Sequence, residues 1–328
     1  MPSANVSWPI PLIRQKIFYP GQVGVQGTDN TRGLRADVGG VVFWVDPNAV
    51  GVSDLRDGTD PEAPLATVAA ALALAQPYRG DVIAVMANGA WQYAAGVNRT
   101  TAVAEEVIVT VPGVRIVGVF PSSSVGVVWE SQTNGTPCID VRAIDVTIEG
   151  FAFVGGLVGG VAIYCEWNGT TLFGENLTVR NCLFDETIDT GIQLEFSWYC
   201  DIHNNYFTQC DEYGIHADVA GSGFAFCTIH HNHFLDCGTA AIAALGGCDE
   251  NQIYKNSIFN TDAQNGALAT NEGINTTGGT QNSVFDNWLS CLLPVPANGD
   301  YDDFCTGAAT DAWMNNHLMD GDTVTNPT

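Results

Sequence analysis

Apolar and polar residues alternate in short windows that recur along the chain from Ile148 onward. Each window opens on an apolar residue: Ile148, Val179, Ile202, Ile229, Ile253, Val284 and Trp313. The sixth position is also apolar: Phe153, Phe184, Phe207, Phe234, Ile258, Leu289 and Leu318. The fourth is Phe151 and then Cys182, followed by Asn205, Asn232, Asn256, Asn287 and Asn316. The intervals between successive first positions are 31, 23, 27, 24, 31 and 29. A second series runs half a coil later and starts at Gly160, Gly191, Gly214, Ala241 and Gly273, with spacings of 31, 23, 27 and 32. Two series moving in step at varying intervals predict stacked coils whose insertions fall in loops. Period-2 alternation over so few residues predicts short strands. Stacked about 4.8 Å apart, such strands form parallel sheets. The fold class expected is all-β: a single-stranded right-handed parallel β-helix with a short N-terminal capping helix.

That register carries further expectations. The fourth-position asparagines should form a ladder, their amides bonding along the axis and satisfying turn carbonyls. Phe184, Phe207 and Phe234 should stack inside. The interval from Cys200 to Cys227 equals the local coil length, as does that from Cys210 to Cys237, so each pair should occupy adjacent rungs. Parallel inward side chains and a reducing compartment favour free thiols there. Residues 1–38 lack the coil pattern and read as an N-terminal arm, either packed on a neighbouring subunit or a disordered lead-in. Residues 39–100 form an opening segment with strand-like Phe43, Trp44 and Val45. Its Ala-rich helix over Thr67 to Ala75 is placed across the open end of the stack, where unpaired strand edges need covering. Residues 101–291 hold the coils. Residues 292–328 read as an irregular C-terminal coil or cap, with Pro294, Pro296 and the acidic stretch from Asp300 to Asp303.

The opening segment resembles that of pectate-lyase-like right-handed β-helix proteins. The likeness rests on Asp46-Pro47-Asn48, on Asp57-Gly58-Thr59-Asp60-Pro61, on Pro64 to Val68, and on Ala71-Leu72. The first coil, Gly80 to Val85 and on to Gly89-Ala90-Trp91, is similar as well. That superfamily includes polysaccharide lyases, glycoside hydrolases, epimerases, and bacteriophage tailspikes and other virion proteins, so the resemblance implies a fold and leaves several chemistries open.

Charge narrows the choice. Among 328 residues there are 36 Asp and Glu but only 11 Lys and Arg, a formal net charge of −25. A nucleic-acid binder needs a basic stripe, and anionic membranes would repel such a surface. Solvent, cations and neutral glycans are the compatible partners. No apolar run is long enough to span a bilayer. The start lacks a basic segment followed by an apolar core, which reads as no signal peptide. Synthesis in a host cytoplasm and residence in a virion is the expectation, with export by a route without a signal peptide as the alternative.

Complete catalytic motifs are missing. Lyase chemistry beside a uronate needs a basic residue. Over the repeating windows only Arg180 and Lys255 are cationic, on different rungs. Asn260-Thr261-Asp262 matches one polygalacturonase element in letters, without that family's other elements. The best candidate site lies on the second series. There Gln193 and His216 take equivalent outward positions, Glu195 and Asp218 follow two residues on, and Tyr164 sits one rung below. Carboxylates one rung apart lie roughly 5 Å from each other, a spacing suited to acid and nucleophile in a retaining glycosidase. The other reading is a solvated carboxylate pair on a polar face. His203 and His230 form a second stripe with Tyr254 and Phe285, suited to stacking on sugar rings or to a side-chain ladder. His231 and His233 flank Asn232 and would share a face, with no third metal ligand in view. No cofactor or metal is called for. The function expected is a virion structural protein (tail, turret or capsid decoration) holding host-surface glycan, against a polysaccharide-degrading enzyme as the alternative. The resemblance implies a homotrimer, and the arm would contact other virion proteins.

Overall fold

The computed structural model describes residues 39–86, 103–119, 127–154, 160–165, 174–185, 188–217, 223–260, 272–291, 305–318 and 323–324. The N-terminal arm, Trp91, Asp218, Thr261, Asp262 and the 292–304 stretch lie outside them.

Three sheets of ten, nine and eight strands run the length of the molecule. Each full coil supplies one strand to each. In one coil, Thr178–Arg180 joins the first sheet, Leu183–Asp185 the second and Thr190–Leu194 the third. Among the described residues, all strand pairings are parallel except that of Thr323–Val324, which lies antiparallel on Asn316–Leu318. The window at Trp313 is therefore one more coil. The stack is a right-handed parallel β-helix, as the spacing predicts.

The first positions pair in unbroken register from Ile148 to Trp313. The column extends upward through Ile116, Ile83 and Phe43, so Val42–Val45 is its first rung. The sixth positions pair likewise from Phe153 to Leu318. Phe153, Phe184, Phe207 and Phe234 stack at 5.2, 4.5 and 4.6 Å between centroids, with planes within 14° of parallel. Burying one such column along the axis supplies apolar area that no isolated coil could bury.

The corner between the first two sheets explains the asparagines. The third window position has positive φ in every coil: 81° at Gly150, then 54°, 56°, 54°, 53°, 56° and 52° at Asn181, Asn204, His231, Lys255, Asp286 and Asn315. This tight bend turns backbone groups inward, and the next residue satisfies them. Asn205 Nδ2 donates to the Val179 carbonyl at 2.9 Å and to Asn232 Oδ1 at 3.0 Å. The same pair of bonds repeats at Asn232, Asn256 and Asn287, and Asn316 closes the ladder on the Val284 carbonyl.

A second ladder stands two residues before each first position. Cys227 N donates to Asn251 Oδ1, Asn251 Nδ2 to Asn282 Oδ1, and Asn282 N to Asp311 Oδ1, at 2.9 to 3.0 Å. Cys200 and Cys227 head this column on adjacent rungs, with Cys200 N 3.2 Å from Cys227 Sγ. Nine of the described cysteines, Cys138, Cys165, Cys182, Cys200, Cys210, Cys227, Cys237, Cys248 and Cys305, are buried thiols outside any disulfide. Burial pushes the thiols of Cys138 and Cys182 up to about 12, so they act as small hydrophobes.

The helix is Val68–Leu74, with Thr67 as N-cap. It packs Val68, Ala71 and Leu72 into the core at the open end, against the strands Val42–Val45, Val82–Met86 and Val107–Val109. Glu105 accepts from Val68 N at 2.7 Å, placing a carboxylate at the helix start.

Candidate functional site

On the third sheet, Ile139, Ile163, Ile192, Ile215, Ile242 and Ile274 are aligned and fully buried. The next residue along faces outward, giving the column Asp140, Tyr164, Gln193, His216, Ala243 and Asn275. The residue before each isoleucine must be small. A Cβ at Gly191 would lie 2.8 Å from the Phe207 ring and one at Gly214 2.7 Å from the Phe234 ring. Ala162 meets that demand in the coil below. The second series therefore aligns Gly191 with Ala162 and not with Gly160, a shorter step than the first series takes over the same coil.

Glu195 follows this column. Its Oε2 accepts from the Tyr164 hydroxyl at 3.1 Å and its Oε1 from Gln193 Nε2 at 2.8 Å. Tyr164, Gln193 and Glu195 are half-buried and form one connected group. His216 pairs with Gln193 as expected, but it is 5 % exposed and lies flat against Tyr213, centroids 3.7 Å apart. It is a covered ring, not an open outward one. Asp140 is held by Arg142, whose Nη2 lies 2.6 Å from Oδ2. Chemically, this face offers a fixed carboxylate, an amide and a phenol within one patch.

The first sheet carries the ring stripe. His203, His230, Tyr254 and Phe285 stack continuously at 5.0, 4.9 and 4.9 Å, with planes within 8° of parallel. Asp201 lies alongside, with Oδ1 2.9 Å from His230 Nε2 and 3.0 Å from Thr228 Oγ1. Burial would raise the Asp201 carboxyl, but His230, His203 and Thr228 hold it below the usual carboxylate range. Burial lowers His203 against the pull of Asp201. His230 Nδ1 lies 2.7 Å from His231 Nδ1. On the same face, Arg180 and Arg115 both bind Glu149, so the arginine of the repeating windows is already engaged.

His231 and His233 do not share a face. The positive-φ corner falls at His231, which sits edge-on to His230, whereas His233 lies on the second sheet against Tyr206 at 4.8 Å. Burial pushes His233 down to about 4.

Residues 158–284 match a family model described as "Periplasmic copper-binding protein (NosD)". The match covers less than half of the chain. Copper calls for converging imidazole or sulfur donors, and the described residues include no group of three or more His, Cys, Asp or Glu able to hold a metal ion. The nitrogens of His230 are already directed at His231 and Asp201. The described residues of this stretch do not fit copper. Among solved structures, the enzymatically active domain of bacteriophage CBA120 tailspike protein 2 is 12 % identical with a TM-score of 0.54, covering 87 % of this chain. This chain spans 43 % of that one. A rhamnogalacturonan lyase (12 % identity, TM-score 0.47) covers 87 % of this chain and 89 % of its own. The GH136 lacto-N-biosidase from Eubacterium ramulus (12 % identity, TM-score 0.44) covers 84 % and 67 %. No curated protein matches by sequence. Three in-register parallel sheets, a corner asparagine ladder and the tailspike likeness give one conclusion: the chain has the right-handed parallel β-helix fold.

Proposed function

We propose that this β-helix is a structural part of a bacteriophage particle that holds host-surface glycan without cleaving it. The observation that carries the reading is the ring stripe on the first sheet, where His203, His230, Tyr254 and Phe285 give a rigid aromatic ladder along the axis. Glu195 is tied into its own surface, each oxygen accepting one bond, from Tyr164 or from Gln193. The tailspike likeness lends the setting, and self-association as a trimer with residues 1–38 as the attachment segment belongs to the proposal.

The alternative keeps Glu195 and Asp218 as a glycosidase pair. Reducing-end release from host capsule or lipopolysaccharide decides between them. The expected result is no release by the wild-type chain, and no difference in Glu195→Gln or Asp218→Asn variants. Release that falls by about 100-fold or more in either variant, the usual scale for losing an acid–base group, would replace this reading with the enzymatic one.

A further inference from the structure

The corner between the third and first sheets holds a left-handed residue in coil after coil as far as Gln281. Three positions before each first-sheet interior residue, φ is 75° at Gly113, 59° at Asp145, 56° at Asn176, 59° at Tyr199, 56° at Phe226, 57° at Glu250 and 60° at Gln281. Glycine, asparagine and aspartate take this conformation most easily. Two successive coils place bulky aromatic residues there instead, where positive φ is an outlier. Those rings do not fill the core. Tyr199 is 54 % exposed and Phe226 43 %, and they stack 5.3 Å apart at 20°. Trp198, beside Tyr199, is 36 % exposed. The fold thus tolerates backbone strain and open apolar surface together here on two successive coils, a combination that belongs to binding surfaces.

We propose that Trp198, Tyr199 and Phe226 form a stacking platform for the sugar rings of a neutral polysaccharide. The proposal rests on the glycan-holding reading above and gives it a location outside the third-sheet face. Size favours a small occupant. Three partly exposed aromatic side chains offer about 300 Å², far below the roughly 800 Å² per partner of a stable protein interface. Shape favours a chain ligand, because the two stacked rings repeat at one coil spacing and lie along the axis. A pyranose sets its apolar C–H face on such rings and leaves its hydroxyls in water. Charge selects against acidic polymers. The chain carries −25 overall, and Glu250 occupies the same corner one coil beyond Phe226.

The test uses the full chain in affinity electrophoresis through gels containing dextran, galactomannan or mixed-linkage β-glucan, with polygalacturonate as the acidic comparison. The variant is Tyr199→Asn/Phe226→Asn, since asparagine accepts the left-handed conformation. The wild-type chain is expected to be retarded by at least one neutral polysaccharide. The double variant should bind about tenfold more weakly or worse while melting at or above the wild-type temperature. If it binds as wild type does, the platform is overturned and the glycan-holding reading survives. If the wild-type chain is retarded by none of the neutral polymers, both fall. A lower melting temperature would make the rings packing elements, and loss of self-association in sedimentation with binding intact would make them a subunit contact. Either result overturns the platform.

Discussion

Asn256→Ala is expected to destabilise the chain by about 4 kcal/mol, from two or three buried groups orphaned at about 1–3 kcal/mol each. Asn256 stands in the middle of the ladder. Its Oδ1 accepts from Asn232 N at 3.0 Å and Asn232 Nδ2 at 3.1 Å. Its Nδ2 donates to the Ile229 carbonyl at 2.9 Å and to Asn287 Oδ1 at 3.0 Å. Alanine removes all four bonds. Asn232 N and the Ile229 carbonyl are then left dry, because Asn256 is 1 % exposed and water has no path to them. Asn204→Gly is the control. It sits at the exposed corner with φ of 56°, which glycine accepts. That change should stay within about 0.5 kcal/mol, the range for surface substitutions. Urea titration followed by circular dichroism reads both. A loss below about 1 kcal/mol at Asn256 would mean that the ladder is decorative.

Phe207→Ala should cost about 3–5 kcal/mol, the range for removing a fully enclosed aromatic ring. Phe207 is wholly buried and lies between Phe184 at 4.5 Å and Phe234 at 4.6 Å. The column cannot collapse to fill the gap, because each ring is fixed to its own coil and the coil spacing is set by the hydrogen bonds of three sheets. Gly191, whose missing Cβ makes room for this ring, would face the cavity. Phe207→Leu should lose much less. A Phe184→Ala/Phe207→Ala pair should fall short of additivity, since the second deletion enlarges an existing void. Additive losses would show that the rings stabilise their own coils and not each other.

These two columns were also the legible part of the sequence. Inside a strand the period is 2, and each window keeps a fixed offset between its first, fourth and sixth positions, so register survives any loop insertion outside it. The third sheet has no such protection. The connection from Phe151–Val154 to Val161–Cys165 is longer than that from Leu183–Asp185 to Thr190–Leu194, and the shift measured on one sheet does not transfer to the next. Glycine misled at that point because the packing demands only a small residue, which Ala162 satisfies.

His231 and His233 fail for a related reason. Strand parity places them on one face, but parity ends at a positive-φ corner that a histidine occupies without a glycine to mark it. The second ladder hid because its rungs change identity, from cysteine to asparagine to aspartate, while doing the same task. Burial of His216 depends on Tyr213, three residues away on the same strand, a contact that alternation does not encode. The Tyr164–Gln193–Glu195 group was half visible. Spacing picks out the three residues, but their mutual hydrogen bonds depend on side-chain reach across a rung, which spacing alone does not fix.

The proposed role of this β-helix is that of a building part of a phage particle. Quantitative mass spectrometry of purified particles from the producing host tests it most directly. A fixed number of copies per particle, retained through a density gradient, is the predicted result. A chain found free in the lysate and absent from the particles would contradict it.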